Sequence, residues 1–560
     1  MTVLLSIFRF DLTQSTFFTS AVRSRIVQFI LDRKRFLKVG DSDYAFGIER
    51  MISEQSYIAA YPLHDGEILV PGSRRNLLFT KWASMKKLMR YQPLDYIKDY
   101  FGVKIGLYFA WLGFYTYMLL LASIVGVAAF IYSLQLMKDN KVSQQICNGN
   151  TTIVMCPLCD NWCDYWNLKE TCVQAKVTSL FDNPVTVAFA VFMSFWATLF
   201  LEHWKRYSAE ITHRWDLTGF DVHEEHPRPD YLARLAKVKR KKLNVVTNTY
   251  EPEVPFFRMK LPATVLSVSV VLLLIAMAFA TVLGVVLYRM SVLATLSVYE
   301  KRLSTSYAIL FTTATAASIN LVLIVIFNWI YEYLAEYLTE MELLRTQTEF
   351  DDSLTLKIYL LQFVNYYASI FYIAFFKGKF VGHPRSYTRF FNYRQEECGL
   401  GGCLMELMIQ LAIIMIGKQT MSAFVEMFLP MLQKKWNSLS LRLGKKRDRS
   451  LKGKGQRWIN DLKLVEFGPR GLFPEYLEMV LQYGFVTIFV AAFPLAPLFA
   501  LINNIFEMRL DAKKLLTYYR RPVSQRVRNI GVWYRILDSI SKLSVITNVS
   551  RSLKIYQFMI

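Results

Sequence analysis

The chain has 560 residues, 53% of them hydrophobic, and a formal net charge of +22. That length would hold three or four soluble domains, but the apolar residues fall in long blocks, which excludes an ordinary soluble chain. The positive charge lies mainly in loops between those blocks, and no basic module with interleaved aromatics accompanies it, so a nucleic-acid-binding protein is excluded too.

Residues 1–104 are mixed and charged, interrupted by Pro62, Pro71 and Pro93. They read as a partial cytosolic amino-terminal domain. The brief apolar opening at 1–10 lacks a convincing cleavage site, so no signal peptide is read there and the first long block serves for insertion. Eight apolar blocks follow, at 105–136, 185–201, 262–287, 309–330, 358–376, 401–432, 475–493 and 495–515. Each has about the length that crosses a hydrocarbon core of roughly 30 Å as a helix. The seventh and eighth meet at Phe493-Pro494-Leu495-Ala496-Pro497, where two close prolines break the helix and make a hairpin.

The loops at 202–261 and 431–474 each carry about a dozen Lys or Arg, against about four at 137–184. Consistent alternation then puts the amino terminus, 202–261, 331–357, 431–474 and everything after 515 in the cytosol. The predicted fold class is an all-α polytopic membrane protein, with 1–104 as the cytosolic segment, 105–515 as transmembrane helices one to eight, and 516–560 as a cytosolic linker that begins a ninth helix.

Cysteine placement agrees with that orientation. Cys147, Cys156, Cys159, Cys163 and Cys172 lie in the first outward loop, and Cys398 and Cys403 lie at the turn from the fifth block into the sixth. All seven are disulfide candidates, because disulfides belong on the oxidising side. Cys156 and Cys159 also resemble half a zinc site, but no second ligand pair with suitable spacing follows. Asn150-Thr151-Thr152 is a glycosylation sequon on the same side. Seven is odd, so one cysteine lacks a partner in this chain.

An acidic side chain inside a spanning helix costs about 2.5–3.5 kcal/mol on insertion scales, so each one needs a reason. Glu475 and Glu478 open the seventh helix three residues apart, and Glu507 and Asp511 lie late on the eighth, four apart, so each pair shares a face. In an antiparallel hairpin, early on one helix and late on the other means similar depth, roughly 15–30 Å from the prolines at 1.5 Å per residue. Glu426 near the cytosolic end of the sixth helix reaches the same level, with Ser422 one turn earlier. Five acids at one depth repel unless a cation neutralises them. Hard oxygen ligands from several elements suit calcium better than magnesium, and five carboxylates are enough for two calcium ions with shared ligands. The alternative is that the acids are solvated at the interface or paired with Arg509, Lys513 and Lys514. Glu332, Glu336 and Glu340 also repeat every four residues, but at the cytosolic exit of the fourth helix, where a solvated face explains them.

Long motifs in these segments resemble the anoctamin family of calcium-gated channels and lipid scramblases. They are Phe473-Pro474-Glu475-Tyr476-Leu477-Glu478, the hairpin from Phe493 through Asn503-Asn504-Ile505-Phe506-Glu507-Met508-Arg509-Leu510-Asp511, Lys377-Gly378-Lys379-Phe380, Gly401-Gly402-Cys403-Leu404 and Arg214-Trp215-Asp216-Leu217. The resemblance runs from about residue 16 to about 547. It implies a homodimer of ten-helix subunits, each with a groove lined by helices three to seven and a two-calcium site between helices six, seven and eight. Carried over by position, Glu426, Glu475, Glu478, Glu507 and Asp511 match that site, with Ser422 where many members have Asn. Glu202 matches an acid of a further, weaker calcium site. Set beside the family, this chain reads as shortened at its amino terminus and as stopping within the ninth helix.

The resemblance leaves two functions open. A calcium-activated chloride channel of the plasma membrane is the first reading, in which Arg289 and Lys377 place positive charge at the outer ends of helices three and five. Snorkelling to lipid headgroups explains the same two residues. The second reading is a scramblase that moves membrane phospholipids, for which Gln362 on helix five is the clue, since anion-selective members tend to carry Lys there. A non-conducting tether is the third. No nucleophile–base pair or phosphate-cradling glycine loop marks an enzyme.

Overall fold

The computed structural model describes residues 18–559, except 37–46, 149–152, 158–164, 219–224, 236–239, 246–248, 300–314, 446–456 and scattered single positions, most of them within 316–329 and 384–401. Among the described residues the chain is mostly helical, and its strands form only short two-stranded hairpins. Ahead of the membrane lie α1 (Ser20–Arg33), α2 (Arg74–Lys81) and α3 (Leu94–Phe101), α2 opened by a Ser73 side chain that accepts from the Asn76 amide. The first apolar block becomes α4 (Val103–Asp139) and the second α5 (Pro184–Arg214). Asn183 caps α5, accepting from the amides of Val185 and Thr186, with Pro184 in the first turn where its missing N–H costs nothing.

The hairpin β1 (Lys241–Asn244) and β2 (Thr249–Pro252) precedes α6 (Leu261–Tyr299), the third block. The fifth block lies in α7 (Gln347–Phe371), and the sixth is interrupted: α8 (Gly402–Ala412), a π-helical stretch Ile413–Lys418, then α9 (Gln419–Lys445) with Pro430 inside it. A short α10 (Arg457–Leu462) leads to the hairpin of α11 (Phe473–Ile488) and α12 (Ala496–Thr517). The prolines act as expected: α11 gives way to a 3₁₀ turn at Val490–Ala492, and Pro497 lies in the first turn of α12.

Among the described residues five helical runs are long and apolar enough to cross a membrane: Val103–Asp139, Leu168–Arg214, Phe257–Val292, Gln347–Phe376 and Gly402–Ser440. They correspond to blocks one, two, three, five and six. The fourth block, 309–330, lies largely outside the described residues. Blocks seven and eight fall short of the same criteria for different reasons. Helix α11 has only 16 residues, and α12 carries Glu507, Arg509, Asp511, Lys513 and Lys514 in its second half.

The core is unusually aromatic. Trp82, Trp111, Trp196, Trp204, Tyr115, Tyr367 and Tyr483 are fully buried. Helix α4 packs along α12 and α5, which brings residues far apart in the chain to one wall. Gly484 on α11 leaves room for the Tyr367 hydroxyl, which donates to the Leu481 carbonyl at 2.6 Å, and a Cβ there would meet that hydroxyl. Residues 532–559 form one helix, α13 (Val532–Met559), packed on α5 and α11. The Tyr483 and Ser541 hydroxyls are 2.6 Å apart, and Asn548 Nδ2 donates to the Thr487 carbonyl at 3.0 Å. The segment expected as a linker beginning a ninth helix therefore includes a helix seated in the bundle.

Candidate metal centre

Three helices converge on one acidic centre. Helix α9 brings Glu426, α11 brings Glu475 in its first turn, and α12 brings Glu507 and Asp511. One carboxylate oxygen from each of the four lies within 4.8 Å of the others. Glu507 and Asp511 are buried, and Glu426 and Glu475 are half-buried. The i, i+4 spacing on α12 puts its two acids on one face, and the hairpin brings the start of α11 beside the end of α12, as the sequence spacing predicted.

Two further side chains complete the centre. The Tyr108 hydroxyl of α4 donates to Asp511 Oδ2 at 2.7 Å, and its ring packs edge-on against Tyr476 at 4.9 Å. Lys514, one turn beyond Asp511, places its ammonium among the acids. Its Nζ is 2.6 Å from Glu426 Oε2, 2.9 Å from Glu475 Oε1, 2.7 Å from Asp511 Oδ1 and 3.9 Å from Glu507 Oε1. The side chain of Lys514 is 4% exposed, so water screens this contact poorly. Charge remains unbalanced, because one ammonium faces four carboxylates. A donor set of carboxylate oxygens with no nitrogen or sulfur fits a hard divalent cation, calcium before any transition metal.

The other residues singled out in the sequence stand as follows. Glu478 is half-buried outside the four-oxygen group but close enough to Glu507 to act on it electrostatically. Ser422 is half-buried one turn before Glu426 and also outside the group, whereas Glu202 on α5 is exposed. Arg289 on α6 is half-buried. Gln362 on α7 is half-buried, and its Oε1 has no hydrogen-bond partner among the described residues. Lys377 does not stand open at the outer mouth: its Nζ is 2.5 Å from Glu406 Oε2 and the side chain is 1% exposed, so a carboxylate already compensates its charge.

Cys147 pairs with Cys172 and Cys398 with Cys403. Cys156 instead carries a free, exposed thiol, because the other four described cysteines are already joined to one another. Cys159, Cys163, Asn150 and Gly401 lie outside the described residues.

Of the three basic residues considered as partners for the acids, Lys514 takes that role and Arg509 does not. Arg509 is fully buried and donates to the backbone carbonyls of Trp82, Leu88 and Arg90, at 2.9, 3.2 and 2.5 Å, tying the pre-membrane segment to α12. Arg75 of α2 caps the carboxyl-terminal end of the same helix, donating through Nη2 to the Leu516 carbonyl at 2.6 Å, with Asp461 of α10 at 3.5 Å. His64 closes this clamp. Its amide donates to Asp461 Oδ2 at 2.9 Å, and its ring nitrogens lie 2.9 Å from the Tyr100 hydroxyl and 3.0 Å from the Tyr519 carbonyl. Burial, reinforced by Arg75, pushes the His64 imidazole down to about 3, so it is neutral at physiological pH. Spacing along the chain offered no signal for Tyr108 or for this clamp, since their partners lie hundreds of residues away.

Among the described residues, five helical runs of membrane length and a buried acidic centre where α9, α11 and α12 meet define a polytopic helical membrane protein. Residues 97–553 match the family described as "Anoctamin: Calcium-activated chloride channel", and residues 5–94 match "Anoctamin, dimerisation domain". Among curated proteins the chain is 45% identical over 553 residues to Anoctamin-5 of Homo sapiens, covering 96% of this chain and 59% of that protein. It is 44% identical over 576 residues to Anoctamin-1 of Homo sapiens (96% and 58%) and 44% identical over 544 residues to Anoctamin-4 of Homo sapiens (96% and 56%). The chain belongs to the anoctamin family. It spans somewhat under two thirds of the length of these relatives.

Proposed function

We propose that this protein is a calcium-activated chloride channel of the plasma membrane, opened by cytosolic calcium held by Glu426, Glu475, Glu478, Glu507 and Asp511, with Ser422 beside them. The observation that carries this reading is the meeting of Glu426, Glu475, Glu507 and Asp511 oxygens within 4.8 Å on three helices. The matched family's description as a calcium-activated chloride channel supports the ion and the trigger. Bound calcium supplies the positive charge that four mutually repelling carboxylates need.

The chain's own part is mechanical. Glu475, Glu507 and Asp511 sit on a hairpin fixed by the aromatic core and the cytosolic clamp, whereas Glu426 rides on α9 beyond the π-helical stretch Ile413–Lys418. A π-helical stretch is a break in regular hydrogen bonding and a common site of helix bending, and Gly417 lies within it. Glu426 is thus the acid whose helix is free to swing, and it couples occupancy of the centre to the line of the sixth helix. The amino-terminal match to a dimerisation domain supports a homodimer. The basic loops support an amino terminus in the cytosol.

A specific observation favours a second reading, a calcium-dependent phospholipid scramblase. Gln362 Oε1 is buried with no hydrogen-bond partner among the described residues, a polar atom that groove water or a lipid headgroup would satisfy. The test is reconstitution of the purified protein in liposomes, reading chloride flux and flipping of a fluorescent phospholipid in the same preparation. Calcium-dependent chloride flux, with Glu426→Ala raising the calcium needed about tenfold or more, is the expected result. Flipping in place of selective flux moves the protein to the scramblases. Calcium-independent flux contradicts both readings.

A further inference from the structure

The Lys514 ammonium stands where the four carboxylates converge, and it is an unusual neighbour for a divalent-cation site. It donates hydrogen bonds to Glu426 and Glu475 and forms an ion pair with Asp511, one carboxylate on each of the helices α9, α11 and α12, all within 2.9 Å. An ammonium fixed in this way takes up oxygen lone pairs that a metal would need. A divalent cation held by the same oxygens, with the ammonium still between them, would face a like charge at contact distance in a poorly screened site.

We infer that Lys514 is a tethered counter-cation that keeps the acidic centre folded without metal and competes with calcium for the same oxygens, so that it sets the calcium affinity. This rests on the calcium reading given above. The side chain springs from the last turn of α12, near the end of the helix. A lysine suits such a task, because its ammonium is a compact charge on a flexible four-carbon stem. Withdrawal of Lys514 breaks its contacts to α9 and α11 together, so the metal-free centre is a latched arrangement of the three helices and the metal-bound one uses different bonds.

The test compares the purified protein with Lys514→Gln and Lys514→Arg by equilibrium calcium titration, read as bound ⁴⁵Ca and as the calcium-induced shift in thermal unfolding. Lys514→Gln is expected to bind calcium about tenfold or more tightly, in line with coupling measured for close buried charge pairs, and to unfold at a lower temperature without calcium. Lys514→Arg keeps the charge and stays close to the wild type. A second measurement needs no variant: a water-soluble amine-acylating reagent with mass spectrometry is expected to label Lys514 at least about threefold faster in calcium, since burial protects an amine from solvent chemistry. Unchanged or weaker calcium binding by folded Lys514→Gln overturns the inference while leaving the calcium site in place. Labelling that calcium leaves unchanged or slows overturns it as well. Absence of calcium binding in wild type and variant alike overturns the calcium reading and this inference together.

Discussion

Asp511 has two oxygens with different partners: Oδ2 accepts from Tyr108, and Oδ1 faces Lys514. The acids were legible in the sequence because a carboxylate in an apolar block is expensive and because i, i+3 and i, i+4 spacings fix a shared face. Tyr108 was not legible, since a tyrosine in the first block is ordinary and its partner lies 403 positions away. Lys514 was visible only as one of three basic residues, and nothing in the spacing separated it from Lys513. Lys377, expected to place positive charge at the outer end of helix five, lies buried against Glu406, a partner that spacing along the chain did not mark. At this scale His64 makes a pH prediction. Its folded value of about 3 lies below the ordinary 6.5, so the unfolded chain binds the extra proton between those values and stability rises with pH across that window. Between pH 7 and pH 5 the wild type should lose about 2 kcal/mol that His64→Gln does not lose, measured by denaturant unfolding at each pH. Equal losses in the two proteins would remove His64 from the account.

Among the elements, hydropathy sufficed where helices are long and apolar, as with α4, α5, α6 and α7. It failed for α11 and α12, one too short and the other too charged, and there the two prolines gave the hairpin instead. In the sixth helix Gly417 marks a candidate hinge point in the sequence, but the π-helical form of the break at Ile413–Lys418 was not legible, because it lies in backbone bonding alone. Helix α12 is the element most heavily anchored. Arg509 donates to three carbonyls of the segment at 82–90, and Arg75 caps the carbonyl of Leu516. Arg509→Ala leaves those buried carbonyls without a donor, at a cost on the order of 2–4 kcal/mol. Limited proteolysis should then cut the 82–90 segment markedly faster than in the wild type. A wild-type cleavage rate would mean that the aromatic packing of Trp82 on Phe109, 4.6 Å between ring centroids, holds the segment unaided.

At the scale of the molecule, a clamp, an aromatic core and a three-helix acidic centre line up along one helix. His64, Arg75 and Asp461 grip the end of α12, Arg509 holds its second half to the pre-membrane segment, and Glu507, Asp511 and Lys514 form the centre on its inner face. The acidic centre is thereby connected to the amino-terminal segment, which matches a dimerisation domain, and to the sixth helix, which carries Glu426. The central claim is that calcium is held by these acids. Its most direct test is the calcium dependence of thermal unfolding for the purified wild type and for Glu507→Gln with Asp511→Asn. A ligand at one hundred times its dissociation constant stabilises the folded state by about 2.7 kcal/mol, so the wild type should unfold several degrees higher in calcium, by an amount that grows with calcium concentration. The double variant should show no such shift. An equal calcium shift in both proteins would place the calcium elsewhere and contradict the account.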